Sequence, residues 1–173
     1  MRILLSISLL FLLLTSCNIK DKPLATVSEQ AYSLTREEIE GGVMTPEILW
    51  KFGRVSDHQL SPDGQTIIFN VTRYDHTTNN SVTDIYSIPS GGGEAKKLTG
   101  SVNSCYNIRW KPDGSAIGYI NDSSGSPQIW EMSPEGEDNQ QVSFIEGGIN
   151  GFEYSPSGNN MIFYTKDVKL DPT

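Results

Sequence analysis

The sequence predicts an all-β fold: a partial β-propeller of about two and a half blades of four-stranded antiparallel sheet, preceded by a signal peptide and short N-terminal helices. Three observations carry this. A tight-turn cassette recurs, a run of strand formers follows each copy, and the spacing suits a unit of four short strands. The copies are Leu60-Ser61-Pro62-Asp63-Gly64 ahead of Thr66-Ile67-Ile68-Phe69, Trp110-Lys111-Pro112-Asp113-Gly114 ahead of Ala116-Ile117-Gly118-Tyr119-Ile120, and Tyr154-Ser155-Pro156-Ser157-Gly158 ahead of Met161-Ile162-Phe163-Tyr164. Their prolines lie 50 and 44 residues apart.

Proline presets φ for the second position of a type I turn, and Asp or Ser followed by Gly suits the positions after it. Between two strand-like runs the cassette is therefore a reversal. Residues 55–60, 102–110 and 149–154 are expected to form innermost strands, and residues 66–74, 116–121 and 160–166 second strands. A third strand follows in the first two copies, Asp84-Ile85-Tyr86-Ser87-Ile88 and Gln128-Ile129-Trp130-Glu131-Met132, each alternating polar and apolar as a half-buried strand does. Pro89-Ser90-Gly91-Gly92-Gly93 and Ser133-Pro134-Glu135-Gly136 then turn into short outer strands at residues 95–98 and 139–142.

The blades are thus expected at residues 54–100, 101–145 and 146–173, the last ending after its second strand. Blades bury their faces on one another, and roughly 4 to 8 normally make a ring. Two and a half leave an apolar face bare and an open edge at Met161-Ile162-Phe163-Tyr164, so the chain reads as a piece of something longer.

Ahead of the blades, residues 1–16 have the form of a secretion signal: Arg2, an apolar run over residues 3–14 broken only by serines, then Thr15-Ser16. The run is too short to span a bilayer as a helix. Leu14-Thr15-Ser16-Cys17 resembles the lipobox of bacterial lipoproteins, in which the cysteine is lipidated and becomes the first mature residue. The other reading is an ordinary signal peptide beside an incidental cysteine. Lipidation of Cys17 implies export and a lipid anchor in the bacterial cell envelope, on its periplasmic or surface side. Residues 17–33 read as a flexible tether and residues 34–53 as a short helical segment. There Thr35-Arg36-Glu37-Glu38 matches a capping box closed by Gly41-Gly42. Thr45-Pro46-Glu47 opens a second helix that ends at Gly53, with Ile48, Leu49 and Phe52 as its docking side.

Chemistry is sparse. The net charge of −8 excludes nucleic acid as a natural partner, because a phosphate backbone asks for clustered Lys and Arg. Acylation takes Cys17 out of disulfide pairing, so Cys105 reads as a packed small apolar residue; a reactive thiol would need a basic neighbour that the sequence does not supply. His58 and His76 have no companions at metal-ligand spacing, so neither a metal nor a cofactor is expected. Asp57-His58 invites a catalytic reading, but adjacent strand residues point to opposite faces, and a structural or solvent-facing His58 is the better account. Gly91-Gly92-Gly93 lacks the Lys-Ser/Thr of a phosphate cradle. Glu135-Gly136-Glu137-Asp138 lacks the alternating oxygen ladder of a calcium loop. Asn70-Val71-Thr72 and Asn121-Asp122-Ser123 fit the glycosylation pattern, which a bacterial lipoprotein does not use. No Gly-x-Ser-x-Gly elbow occurs, and no catalytic or substrate-binding residue can be assigned.

The lipoprotein signal, then Met44-Thr45-Pro46-Glu47-Ile48-Leu49-Trp50-Lys51-Phe52-Gly53-Arg54-Val55-Ser56 running into Leu60-Ser61-Pro62-Asp63-Gly64, resembles the start of bacterial secreted prolyl oligopeptidase-family serine peptidases of the dipeptidyl- or acylaminoacyl-peptidase type. The Pro-Asp-Gly repeats alone are also similar to TolB-like propellers. The resemblance implies an N-terminal propeller that limits access to an α/β-hydrolase domain carrying a Ser-Asp-His triad. Short peptides would be its substrates. No triad position transfers, because nothing in these residues matches the hydrolase part. The alternatives are a non-enzymatic TolB-like lipoprotein serving as an envelope binding platform, and a short protein that closes its ring by oligomerising; the sequence does not fix the oligomeric state.

Overall fold

A computed structural model describes residues 32–100 and 103–166. The signal segment, Cys17 and most of the tether lie outside the described residues.

Two short helices come first, α1 (Arg36–Gly41) and α2 (Pro46–Lys51). The capping box of α1 is present in both directions. The Thr35 hydroxyl accepts from the Glu38 amide at 3.2 Å, and the Glu38 carboxylate accepts from the Thr35 amide at 2.8 Å. Lys51 ties the helices together through the same carboxylate at 2.8 Å.

Among the described residues ten strands follow in three sheets. Strands β1 (Arg54–Leu60), β2 (Thr66–Asp75), β3 (Asn80–Pro89) and β4 (Lys96–Lys97) pair in sequence order. The second sheet repeats that order with β5 (Tyr106–Trp110), β6 (Ile117–Asn121), β7 (Gln128–Met132) and β8 (Gln140–Gln141). The last pair is β9 (Gly151–Tyr154) with β10 (Met161–Tyr164). The three Pro cassettes are the β1–β2, β5–β6 and β9–β10 reversals. Each is closed by its glycine amide onto the carbonyl of Ser61, Lys111 or Ser155 at 2.8–2.9 Å. The expected strands are all found with some ends shifted, and two shifts are the largest. Strand β3 starts four residues early, extending the β2–β3 hairpin to Asp75 and Asn80. Strand β5 starts only at Tyr106.

Two cores hold the blades together. Ile68, Ile85 and Leu98 of the first blade meet Cys105, Ile108, Ile117, Tyr119 and Met132 of the second. Ile120 and Ile129 of the second meet Ile149 and Phe152 of the third. Each fully buried isoleucine contributes about 1.5–3 kcal/mol of transfer free energy. The expectation that the third strands are half-buried, with polar residues outward, is corrected at their first positions. Asp84 and Gln128 are both buried. Each anchors a hydroxyl from the segment after the outer strand: Thr99 donates to Asp84 at 3.0 Å, and Ser143 donates to Gln128 at 2.9 Å. Those same hydroxyls accept the amides of Ile85 and Ile129. A polar residue is needed there because a buried hydroxyl left unpaired is costly.

The docking side expected on α2 is also corrected. Ile48 is buried, but Leu49 and Phe52 are exposed. Besides Ile48, the helix contributes the Trp50 ring, which meets Arg54 and Tyr74, and Arg73 makes a second set of ring contacts outside the helix. Arg54 lies 5.6 Å from the Trp50 ring and 4.4 Å from that of Tyr74, and Arg73 lies between the Tyr32 and Tyr86 rings at 5.3 and 5.9 Å. Gly53 does not act as a left-handed cap; a Cβ there would run into the Val71 side chain. Helix and sheet approach closely at that point.

Gly118 marks a similar approach between blades. A Cβ built on it would lie 2.9 Å from the Phe152 ring and would overlap the Tyr154 hydroxyl. Gly118→Ala is therefore expected to cost about 1–3 kcal/mol by overpacking. Gly41→Ala, with open space around its Cβ, should be neutral or slightly stabilising. Urea denaturation followed by tryptophan fluorescence checks both.

The turn aspartates set an acid sensitivity. Hydrogen bonds from Ser61 and then the Gln65 amide hold the Asp63 carboxyl below its ordinary value of 3.8, and Ser115 does the same for Asp113. For a depressed carboxyl, the stabilisation is complete above the unfolded value and fades as pH falls through the folded one. Thermal midpoints should therefore fall below about pH 4. The double variant Asp63→Asn/Asp113→Asn should flatten that decline.

Candidate functional site at the inner-strand edge

The innermost strands β1, β5 and β9 are neighbours. Each pairs with its own second strand on one side only, so its other edge carries backbone groups with no strand to meet them. On β5 and β9 that edge is met by side chains from the preceding blade. A bulge in β1 lies between Ser56 and Gln59, and the bulged Asp57 takes φ 47°. That conformation aims its carboxylate at β5, where it accepts the Ile108 amide at 2.8 Å. Two residues on, the Gln59 side-chain oxygen Oε1 accepts the Trp110 backbone amide at 3.2 Å.

The second blade repeats the device. Its bulge lies between Tyr106 and Arg109, Asn107 takes φ 51°, and its side-chain Nδ2 donates to the Phe152 carbonyl of β9 at 3.0 Å. Asx residues suit both positions because a short polar side chain eases the left-handed region.

Arg109 links all three blades. Its guanidinium meets Asp57 of β1 at 3.3 Å and Glu153 of β9 at 2.7 Å. It also donates to its own strand at the Ile108 carbonyl, 2.8 Å away. The Arg109 and Asp57 side chains are about one fifth and one third exposed, whereas Glu153 is more than half exposed. The pair with Asp57 is accordingly the better shielded of the two.

The other candidates fall elsewhere. His58 follows Asp57 on β1 and is exposed; His76 sits exposed in the β2–β3 turn. Among the described residues no group of His, Cys, Asp or Glu is placed to hold a metal ion. Gly91-Gly92-Gly93 forms the β3–β4 turn, with the Gly92 amide on the Pro89 carbonyl at 2.9 Å. Within Glu135-Gly136-Glu137-Asp138 the Gly136 amide closes on Ser133 at 2.9 Å, and the Glu135 carbonyl accepts Lys96 at 2.8 Å. Cys105 is buried in the first inter-blade core. Asn70 and Asn121 are buried as well, which removes them as glycan acceptors. A cleft of about 250 Å³ lies between the first two blades, lined by Thr99, Cys105, Tyr119, Asn121, Trp130 and Asn139 among others. On its second-blade side Tyr119 donates to Asn139 at 2.8 Å, and burial raises that phenol well above its ordinary value.

The sequence pattern of the family described as "TolB beta propeller domain" matches residues 47–170, which takes in all ten strands. This chain belongs to the TolB β-propeller family. Among curated proteins it is similar to dipeptidyl-peptidase 5 of Porphyromonas endodontalis, 33% identical over 136 residues. The match covers 79% of this chain and 20% of that protein. The Porphyromonas gingivalis protein of the same name is 36% identical over 130 residues, covering 75% of this chain and 19% of its own length. The chain thus spans about a fifth of the curated relatives it matches, within their propeller portion. Among solved structures, a putative TolB from Agrobacterium tumefaciens superposes with a TM-score of 0.55 at 27% identity, over 69% of this chain and 42% of that one. An acylaminoacyl peptidase from Pyrococcus horikoshii shares the fold, with a TM-score of 0.54 at 18% identity, over 66% of this chain and 17% of its own.

In this family member the Asx bulges were missed by reading strands as regular. The signal was present: Asp57 and Asn107 each sit five residues before the cassette proline. Asp57→Ala removes the acceptor for a buried amide and leaves alanine at positive φ, so about 1–3 kcal/mol of destabilisation is expected, with faster hydrogen exchange at Ile108. Asp57→Asn keeps both the acceptor and the left-handed tolerance and should lose much less.

Proposed function

We propose that this TolB-type propeller is the N-terminal, non-catalytic part of an exported, lipid-anchored serine peptidase. It limits access to a hydrolase domain, so that short peptides are admitted and long or folded chains are not. The observation that carries the reading is the pair of dipeptidyl-peptidase relatives, each above 30% identical across three quarters or more of this chain. The reaction would be hydrolysis of peptide bonds near the amino terminus of oligopeptides, through an acyl-enzyme on a serine of that hydrolase domain.

Export and anchoring rest on Arg2, the apolar run and Cys17. Labelling with a radioactive fatty acid should mark the protein, and Cys17→Ser should abolish the label and release the protein from the membrane fraction. The enzymatic half of the reading is tested on the complete gene product, which should hydrolyse dipeptidyl p-nitroanilides and be inactivated by a serine-directed fluorophosphonate.

A second reading, a non-enzymatic envelope platform, is favoured by the likeness to the Agrobacterium TolB at 27% identity. A complete product made only of further blades, inert to the fluorophosphonate, would establish it instead.

A further inference from the structure

We propose that Arg109 is a clasp on the inner wall of the propeller and sets how readily long peptides pass; this rests on the peptidase reading above. Inner strands line the axis of a propeller. Arg109 is placed on the inner strand of the second blade and reaches Asp57 on the first at 3.3 Å and Glu153 on the third at 2.7 Å. One side chain therefore fixes the spacing of three successive strands at the wall. The inter-blade cores take Ile108 from β5 and Phe152 from β9 but are otherwise built mainly on the strands further out, on Ile68, Ile85, Ile117, Ile120 and Ile129, and Arg109 adds a charged tie between the inner strands beside them.

Among the described residues the other polar ties between the inner strands are few. Between the first two blades they are the Asp57 and Gln59 bonds to the Ile108 and Trp110 amides; between the second and third, the Asn107 bond to Phe152. Asp57 serves both an amide and Arg109, so the cation also steadies the carboxylate that caps β5. A guanidinium holding two carboxylates at once has a fixed fork that an ammonium lacks, but a lysine still keeps the charge. Removing the cation would also leave Asp57 and Glu153 facing one another as like charges, which pushes the strands apart.

Arg109 is thus a positioning residue. The test uses the complete protein and compares two substrates, a dipeptidyl p-nitroanilide and a long unstructured peptide. Arg109→Met should raise kcat/KM for the long peptide relative to the dipeptidyl substrate by roughly two- to fivefold, the range of a partly exposed ion pair. Arg109→Lys should keep most of the wild-type ratio. High salt should move the wild-type ratio toward that of Arg109→Met and leave the methionine variant where it is. Glu153→Gln removes only the more exposed half of the clasp and should show the same shift at lower amplitude, which covers the case of Arg109→Met not accumulating.

Equal ratios in all variants would overturn the clasp, as would a shift that lysine does not rescue. If the wild-type protein cleaves neither substrate, the peptidase reading fails by itself. Hydrogen exchange then decides the clasp: faster exchange at the Ile108 and Trp110 amides in Arg109→Met supports it, and unchanged exchange refutes it.

Discussion

Each inner strand has one edge with no strand beside it, and that edge is the constraint around which the blades are arranged. An amide buried there must find an acceptor or forfeit 1–3 kcal/mol or so. The fold meets the demand with side chains from the adjoining blade rather than with more sheet. Asp57 and Gln59 supply acceptors for β5, and Asn107 supplies a donor for β9. To reach, the Asx residues must leave the regular strand, and the bulges with φ near 50° are the consequence. Local strain and long-range order are coupled at one residue in each of the first two blades. The same residues bring charge to the inner rim, where Arg109 becomes the common partner of Asp57 and Glu153.

Away from the rim the blades adhere by apolar burial, and the polar groups caught there are handled by repetition. Asp84, Thr99 and the Ile85 amide in the first blade correspond to Gln128, Ser143 and the Ile129 amide in the second, each trio 44 residues from its counterpart. Charge is dispensable in this device, since Gln128 replaces Asp84. Only the first blade adds Lys97, which pairs with Asp84 at 2.9 Å.

The architecture was legible because its punctuation is local. Pro62, Pro112 and Pro156 fix the turns by their own covalent geometry, and Thr35, Glu38, Thr45 and Pro46 write the helix starts within four residues. Strand order follows once the hairpins are placed. What periodicity could not give was anything decided across blades. Asp57 and Asn107 share a place five residues before the cassette proline, but that place does not name their amide and carbonyl partners, 51 and 45 residues away. Leu49 and Phe52 carry a helical apolar spacing, yet besides Ile48 it is Trp50 of α2 that meets Arg54 and Tyr74, contacts that depend on where β2 ends. The polar appearance of Gln128 suggested the solvent side, and only its bonds to Ser143 and Ile145 explain why it is buried.

The two inter-blade contacts also differ in a way that limits how freely blades could be exchanged. At the first, Ile68 of β2 faces a core that includes Ile108 of β5. At the second, the corresponding positions are Gly118 of β6 and Phe152 of β9, 50 and 44 residues further along. A medium residue met by a medium residue becomes a small one met by a large one, and the space between sheets stays filled. Packing at near-crystalline density tolerates such exchanges only when they are made together. Tyr154 completes the fit by lying over Gly118 and donating to Glu131 at 2.8 Å. Burial, and after it the bond to Glu131, keep the phenol protonated far above its ordinary range. Each blade is therefore cut to its own neighbour: the turns repeat because they solve a local problem, and the faces diverge because each solves a paired one.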